Sequence, residues 1–265
     1  GPFAASIIAT PLWGKLGDKY GRKLMVVRAI IGLGIAQVFI GFSQDVYQLL
    51  FFRIIQGIIS GVIASAIALV STSTPKERMG YALGFLQSAS AAGTMLGPFI
   101  GGILADAIGY RAIFFVVAGV CFVGGFVVIR FVHETPQSVR PDGKSSVLEN
   151  VKIMFSDAQL RVAAFTMILV QASALMIEPI FALYIERFPT DTEYMATLTG
   201  GMFSIAGVFM VIAAPWWGKR NDRMGFKHNL ILATTGTGVA YSLHLIVPNI
   251  YLLGLLRAGL GFVRG

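Results

Sequence analysis

The chain has 265 residues, 55% of them hydrophobic and only 13% charged, with a net charge of +8 and a mean hydropathy of +0.74. That charged share is about half the usual value for a soluble domain, and a water-soluble fold would expose far too much apolar surface, so a polytopic membrane protein is indicated. The basic residues sit in short segments between apolar runs, the pattern of membrane orientation and not of nucleic-acid binding, and the single cysteine, Cys121, has no internal disulfide partner.

A membrane-crossing helix takes roughly 20 mostly apolar residues. Spans are therefore expected near 1–13, 24–42, 47–70, 80–105, 113–132, 162–185, 197–217, 229–247 and 251–265. The runs are continuous and do not alternate, so helices are expected instead of barrel strands. The first run opens partway and the last stops short, so the chain reads as an internal portion of a longer protein of about twelve spans.

The segments between spans alternate in charge. Lys15, Lys19, Arg22 and Lys23 face Asp18 alone in the first loop, near 14–23; the next, near 43–46, has only Asp45. Lys76 and Arg78 mark 71–79, and Asp106 and Arg111 mark 106–112. His133, Arg140, Lys144, Lys152 and Arg161 lie in the long polar stretch 133–161; Glu186, Arg187, Asp191 and Glu193 follow, then Lys219, Arg220, Arg223 and Lys227. Positive residues mark the cytoplasmic side, which puts the first loop, the middle stretch and 218–228 in the cytoplasm. Within the middle stretch, Val147, Val151, Met154 and Phe155 form one apolar stripe, so a short amphipathic surface helix is expected over 147–158. The organisation expected is a helical bundle over 1–132, a cytoplasmic linker over 133–161 and a second bundle over 162–265.

The two bundles are related. Pro11 to Lys23 returns 204 residues later as Pro215 to Lys227, with seven of thirteen positions identical, where unrelated segments share about one. The same offset pairs Gly32 with Gly236, Gly34 with Gly238, Tyr47 with Tyr251, Arg53 with Arg257 and Gly57 with Gly261. Both copies begin on the same side of the membrane, so they are parallel repeats.

Gly14, Asp18, Gly21, Arg22 and Lys23 form a charged motif in which glycines permit a turn and close helix approach, while Asp18 can cap a helix or pair with a base. Arg53 lies about six residues inside its span, with Gln56, Gly57 and Ser60 on its face. An arginine costs at least ~2.5–3.5 kcal/mol at mid-membrane, so it faces a polar interior or snorkels to the surface. Gly93, Gly97 and Gly101 recur every four residues, a row that suits close helix approach, and Pro98 removes a hydrogen bond to the Thr94 carbonyl and favours a kink. Glu178 is the one carboxylate deep within an apolar run, with Gln171 on its face. It either exchanges protons in a low-dielectric site and accepts a cation, or sits hydrated near the outer interface. Arg28 and Arg130 are expected to snorkel, and the lone His244 to hydrogen-bond to a neighbouring span, since no partner has metal spacing. No phosphate-cradling glycine loop ending in Lys-Ser/Thr is present, so ATP is not the direct energy source.

These motifs carry a resemblance. Gly14-x-x-x-Asp18-x-x-Gly21-Arg22-Lys23 is similar to the cytoplasmic loop signature of the major facilitator superfamily, Arg53 to Gly57 to its fourth-span motif, and Gly93 to Leu104 to the antiporter signature of its drug-exporting members. The resemblance implies an all-α membrane protein of the major facilitator fold, with two parallel-repeat bundles and about nine spans in this chain. It also implies secondary transport by alternating access. On this resemblance Gly14, Asp18, Gly21, Arg22 and Lys23, with Gly218, Asp222 and Gly225 of the second copy, form a cytoplasmic gate. The second copy departs from the signature at Phe226, in the place of Arg22. Arg53 and Gln56, joined by Glu178 from its position alone, serve proton coupling. Gly93, Gly97, Pro98, Gly101 and Gly102 carry the antiporter motif. The function expected is export of small amphipathic or cationic drugs in exchange for protons. The protein would be monomeric, lie in the bacterial inner membrane and use no cofactor, metal, nucleic acid or catalytic residue. The alternatives are a transporter of another solute such as a sugar, or a membrane-embedded receptor.

Overall fold

A computed structural model describes residues 2–134, 155–156, 158–188, 194–224 and 226–264. Among them every regular element is helical. The helices are α1 (Pro2–Tyr20), α2 (Arg22–Phe42), α3 (Val46–Ile59), α4 (Val62–Ser73), α5 (Met79–Ile108), α6 (Tyr110–Phe131), α7 (Ala158–Ile185), α8 (Met195–Met224), α9 (Phe226–Leu243) and α10 (Ile250–Arg264). The amphipathic stripe expected over 147–158 falls almost wholly outside the described residues.

Six described segments are long and apolar enough to cross a membrane: Arg22–Phe42, Val46–Ser73, Met79–Ile108, Tyr110–Phe131, Leu160–Ile177 and Met195–Asn221. The other three expected spans are helices outside that set. α1 spends its last turns on Lys15, Asp18 and Lys19, α9 carries Lys227, His228 and Asn229 in its first turn, and α10 has 15 residues.

Several boundaries depart from expectation for local reasons. The motif segments 14–20 and 218–224 continue helices α1 and α8 and are not loops. The first turn is made at Gly21 alone, whose φ of 99° suits glycine. Gly109 at φ 83° likewise joins α5 to α6 in one residue. The run expected as one span over 47–70 is divided at Ser60–Gly61, where Gly61 takes φ 114° and restarts the chain as α4. α3 itself starts on a reciprocal cap: Asp45 accepts from the Gln48 N–H at 2.8 Å, and Gln48 accepts from the Gln44 N–H at 3.0 Å.

The chain forms two compact units, Gly1–Gly93 with Leu104–Val139, and Thr94–Ile103 with Arg140–Gly265. In the first, α2 lies along α6 through small residues. Ala29 and Ala36 are fully buried, and a Cβ on Gly125 would come within 2.9 Å of Ile31. In the second, Phe181, Ile185, Met202, Val247 and Leu253 form an apolar core among α7, α8 and α10. Large apolar side chains elsewhere, such as Val120, Phe126, Ile168 and Ile180, are exposed. Outward apolar faces are what a lipid solvent permits, since lipid tails are as apolar as the side chains.

Candidate functional site

The first loop motif is organised by a residue that sequence reasoning passed over. The N–H groups of Arg22 and Lys23, unsatisfied because they open α2, donate to the two carboxylate oxygens of Glu134 at 2.7 and 3.0 Å. A carboxylate there is also favoured by the positive end of the helix dipole. Lys23 extends its Nζ to the Ile129 carbonyl at 2.9 Å, near the end of α6. The backbone of Gly21 leaves no room for a side chain, since a Cβ would meet Glu134 Oε2 at 2.9 Å. Glu134 thus caps the start of α2; the side chain of Asp18, offered by the sequence as a cap or as a partner for a base, lies outside the described residues, as do those of Asp222 and Phe226 and the whole of Gly225.

Gly14 and Gly218 each have open space where a Cβ would stand. Gly14 and Arg22 line a cavity of about 270 Å³ together with Trp13, Ser60 and Gly61. Arg28 does not snorkel. Its guanidinium lies 3.5 Å from the centre of the Trp13 ring, and its buried nitrogens make no hydrogen bond among the described residues. A cation over an indole face recovers part of the lost hydration. Arg130 is exposed and lies against Phe131, as a snorkelling side chain would.

The repeat persists as contacts inside each unit. Trp13 Nε1 donates to the Ile58 carbonyl at 2.7 Å and Trp217 Nε1 to the Phe262 carbonyl at 2.7 Å, both across 45 residues. A Cβ on Gly32 would strike Ile59, and one on Gly236 would come within 2.8 Å of Val263. Gly17 lies against Met25 in the first unit; in the equivalent place of the second, the amide of buried Asn229 donates to Asn221 and accepts from Arg220 Nε at 3.0 Å.

The two arginines of the repeat differ. Arg53 is half-buried, donates to Gln56 Oε1 at 3.4 Å and lies 6.0 Å from the Phe114 ring. Arg257 is only 3% exposed, with its guanidinium 3.2 Å from the centre of Phe181 and 5.0 Å from that of Phe203. It borders a cavity of about 460 Å³ with Thr94, Pro98, Phe203, Tyr241 and Arg264. Two arginines, a phenol and a hydroxyl beside aromatic and aliphatic walls can hold an amphipathic molecule by its polar end. The ring of His244 binds within its own segment, Nδ1 meeting the Ala240 carbonyl at 2.6 Å, and the bond to a neighbouring helix is made by its backbone carbonyl, which accepts from the Tyr184 hydroxyl of α7.

The glycine-rich stretch of α5 makes a tight seam, one face away from the expected row. At Gly93, Gly97 and Gly101 a Cβ would meet open space. The close approach is made by Pro98 and Gly102, which share a face with Met95. A Cβ on Gly102 would collide with the Ala196 carbonyl, one on Gly200 with the Pro98 carbonyl, and one on Gly207 would come within 3.1 Å of Met95 Cα. Next to Pro98, the Phe99 N–H donates to the hydroxyl of Ser204 at 3.2 Å. Ser204, Phe181 and Phe203 carried no sequence signal, since each is ordinary until its partner is known. The backbone of Gln171 and Glu178 belongs to α7, and the side chain of Glu178 lies outside the described residues.

Residues 1–265 match the family described as Major Facilitator Superfamily. Among curated proteins the chain is similar to multidrug resistance protein MdtG of Proteus mirabilis (strain HI4320), 36% identical over 266 residues that cover 99% of this chain and 65% of that protein. It is also similar to MdtG of Escherichia coli (strain K12 / DH10B), 35% identical over 271 residues covering 99% and 64%. The chain thus spans about 65% of the length of these curated relatives. Among solved structures it resembles a bacterial homologue of the human lysosomal transporter Spinster, inward-facing and unoccupied, with a TM-score of 0.67, 15% identity, and coverage of 99% of this chain and 64% of that one. It also resembles the inward-open xylose transporter XylE from E. coli, with a TM-score of 0.64, 18% identity, and coverage of 100% and 68%. At such identities the structural likeness speaks for the fold alone. The family match over the whole chain, the helices that can cross a membrane and the repeat kept in both sequence and contacts agree: the chain belongs to the Major Facilitator Superfamily.

Proposed function

We propose that the chain is the greater part of a secondary active transporter that exports small amphipathic or cationic drugs in exchange for protons, by alternating access, as a monomer in the bacterial inner membrane. The observation that carries this reading is the cavity of the second unit, where Thr94 and Pro98 of the antiporter-like stretch share a wall with the buried repeat arginine, Arg257. The names of the similar proteins, multidrug resistance proteins, supply the substrate class.

In this mechanism the motif segments around Asp18, Arg22 and Asp222 act as the cytoplasmic gate, and Arg53 with Gln56 serves proton coupling. Glu178 binds and releases the proton or the cationic group. Inward protons contribute about 2.3 kcal/mol per charge per 100 mV, which drives the drug outward. Arg257 and Arg264 are the charged groups on the described cavity wall. They favour neutral or anionic amphiphiles there, and cationic drugs would need the Glu178 carboxylate.

Inverted membrane vesicles containing the protein test the reading. A proton gradient should drive uptake of a lipophilic cationic dye or an anionic amphiphile, and each addition should alkalinise the lumen. Uptake of both probes indifferent to the gradient, or no uptake, would overturn it.

A further inference from the structure

We infer that Trp13 and Trp217 are paired positioning residues: each indole N–H clamps the arginine-bearing helix of its own unit to the adjoining charged motif, so that movement of the motif is delivered to Arg53 or Arg257. Each tryptophan directly precedes a motif glycine, Gly14 or Gly218. Each reaches a carbonyl five residues beyond the repeat arginine, Ile58 or Phe262, at 2.7 Å.

The first unit shows why a clamp is needed. In an unbroken helix the Ile58 carbonyl would accept from the N–H of Val62, but the chain breaks at Ser60–Gly61. Both the N–H and the hydroxyl of Ser60 turn onto Gly57, at 3.3 and 2.7 Å. That leaves the Ile58 carbonyl without its helical partner in a segment apolar enough to cross a membrane, where an unsatisfied carbonyl is costly. The Trp13 N–H takes it.

Each ring also has a second neighbour, Arg28 over the face of Trp13 at 3.5 Å and Trp216 perpendicular to Trp217 at 5.0 Å between ring centres. The surrounding contacts have diverged, with Gly17 on Met25 in one unit and an asparagine pair in the other. The indole-to-carbonyl bond is kept in both copies, together with the packing of Gly32 on Ile59 and of Gly236 on Val263 along the same helices. A bond retained while its surroundings change points to a task common to both halves, here the linkage of motif to arginine. The inference rests on the transport reading, yet its test needs no transport.

The test measures coupling in the protein reconstituted in liposomes, with Cys121→Ser removing the native thiol. A reporter cysteine at position 60 (Ser60→Cys), beside the break, is alkylated by a soluble maleimide. Asp18→Asn perturbs the motif. It should change the alkylation rate at least threefold when Trp13 is present, and less than 1.5-fold in Trp13→Phe, which keeps an aromatic face for Arg28 but has no N–H. The matching cycle in the second unit uses Asp222→Asn, Arg264→Cys and Trp217→Phe. If Trp13→Phe or Trp217→Phe fails to insert, benzothienylalanine at that position replaces the N–H alone. An equal response with and without the N–H, or no response in either background, would overturn the clamp. Dye uptake by the unmodified protein, measured in parallel, reports separately on the transport reading.

Discussion

Glu134 holds Arg22 by its backbone: one carboxylate oxygen accepts the Arg22 N–H at 2.7 Å, and the other takes the next amide, that of Lys23. The arginine of the charged motif is thereby fixed at the first turn of α2 by a residue 112 positions away in sequence. Charge-assisted bonds of this kind contribute about 1.5–3 kcal/mol. Glu134→Ala should therefore speed amide exchange at Arg22 and Lys23 by tenfold or more and slow export. Hydrogen exchange on the purified protein checks the first effect; unchanged protection at both amides would show that Glu134 is dispensable there.

Arg257 and Arg53 should respond differently to loss of their aromatic neighbours. Arg257 is buried 3.2 Å from the centre of Phe181, whereas Arg53 lies 6.0 Å from that of Phe114. A desolvated cation–π contact is worth about 2 kcal/mol and an exposed one about 0.5–1. Phe181→Leu should lower the thermal stability of the detergent-solubilised protein clearly more than Phe114→Leu. Equal shifts would contradict the assignment.

The α5–α8 seam makes a prediction that glycine spacing alone would have placed elsewhere. Gly200→Ala puts a methyl into the Pro98 carbonyl, while Gly97→Ala enters open space. Overpacking of this kind costs typically 1–3 kcal/mol. Gly200→Ala should depress the melting temperature and the amount of protein in the membrane, and Gly97→Ala should leave both near the parent values. A stable Gly200→Ala protein would mean that the two helices separate at little cost.

Glu178→Gln should uncouple drug efflux from the proton gradient, because the amide cannot carry a proton. Efflux of a neutral amphiphile measured from pH 6 to 8 should lose its pH dependence while binding of that amphiphile persists. An unchanged pH profile would remove Glu178 from the coupling pathway.

The helical membrane class, the order of the helices and the twofold repeat were legible from the chain alone. Apolar runs of spanning length have few other solutions in lipid, and the Pro11–Lys23 motif recurs with enough identity to be seen unaided. The same reading marked Arg53 by the cost of burying a guanidinium, and Arg257 only as its equivalent in the repeat. It could not find Glu134 for the α2 cap, Ile58 for Trp13, Phe181 for Arg257 or Ser204 for Phe99. Nor could it tell that Gly102, and not Gly97, meets α8. Each of these depends on which side chain a fold brings alongside from 45 or more residues away. A helix one residue further round offers its neighbour a different face, so the spacing of glycines names a candidate groove and packing decides which row is used.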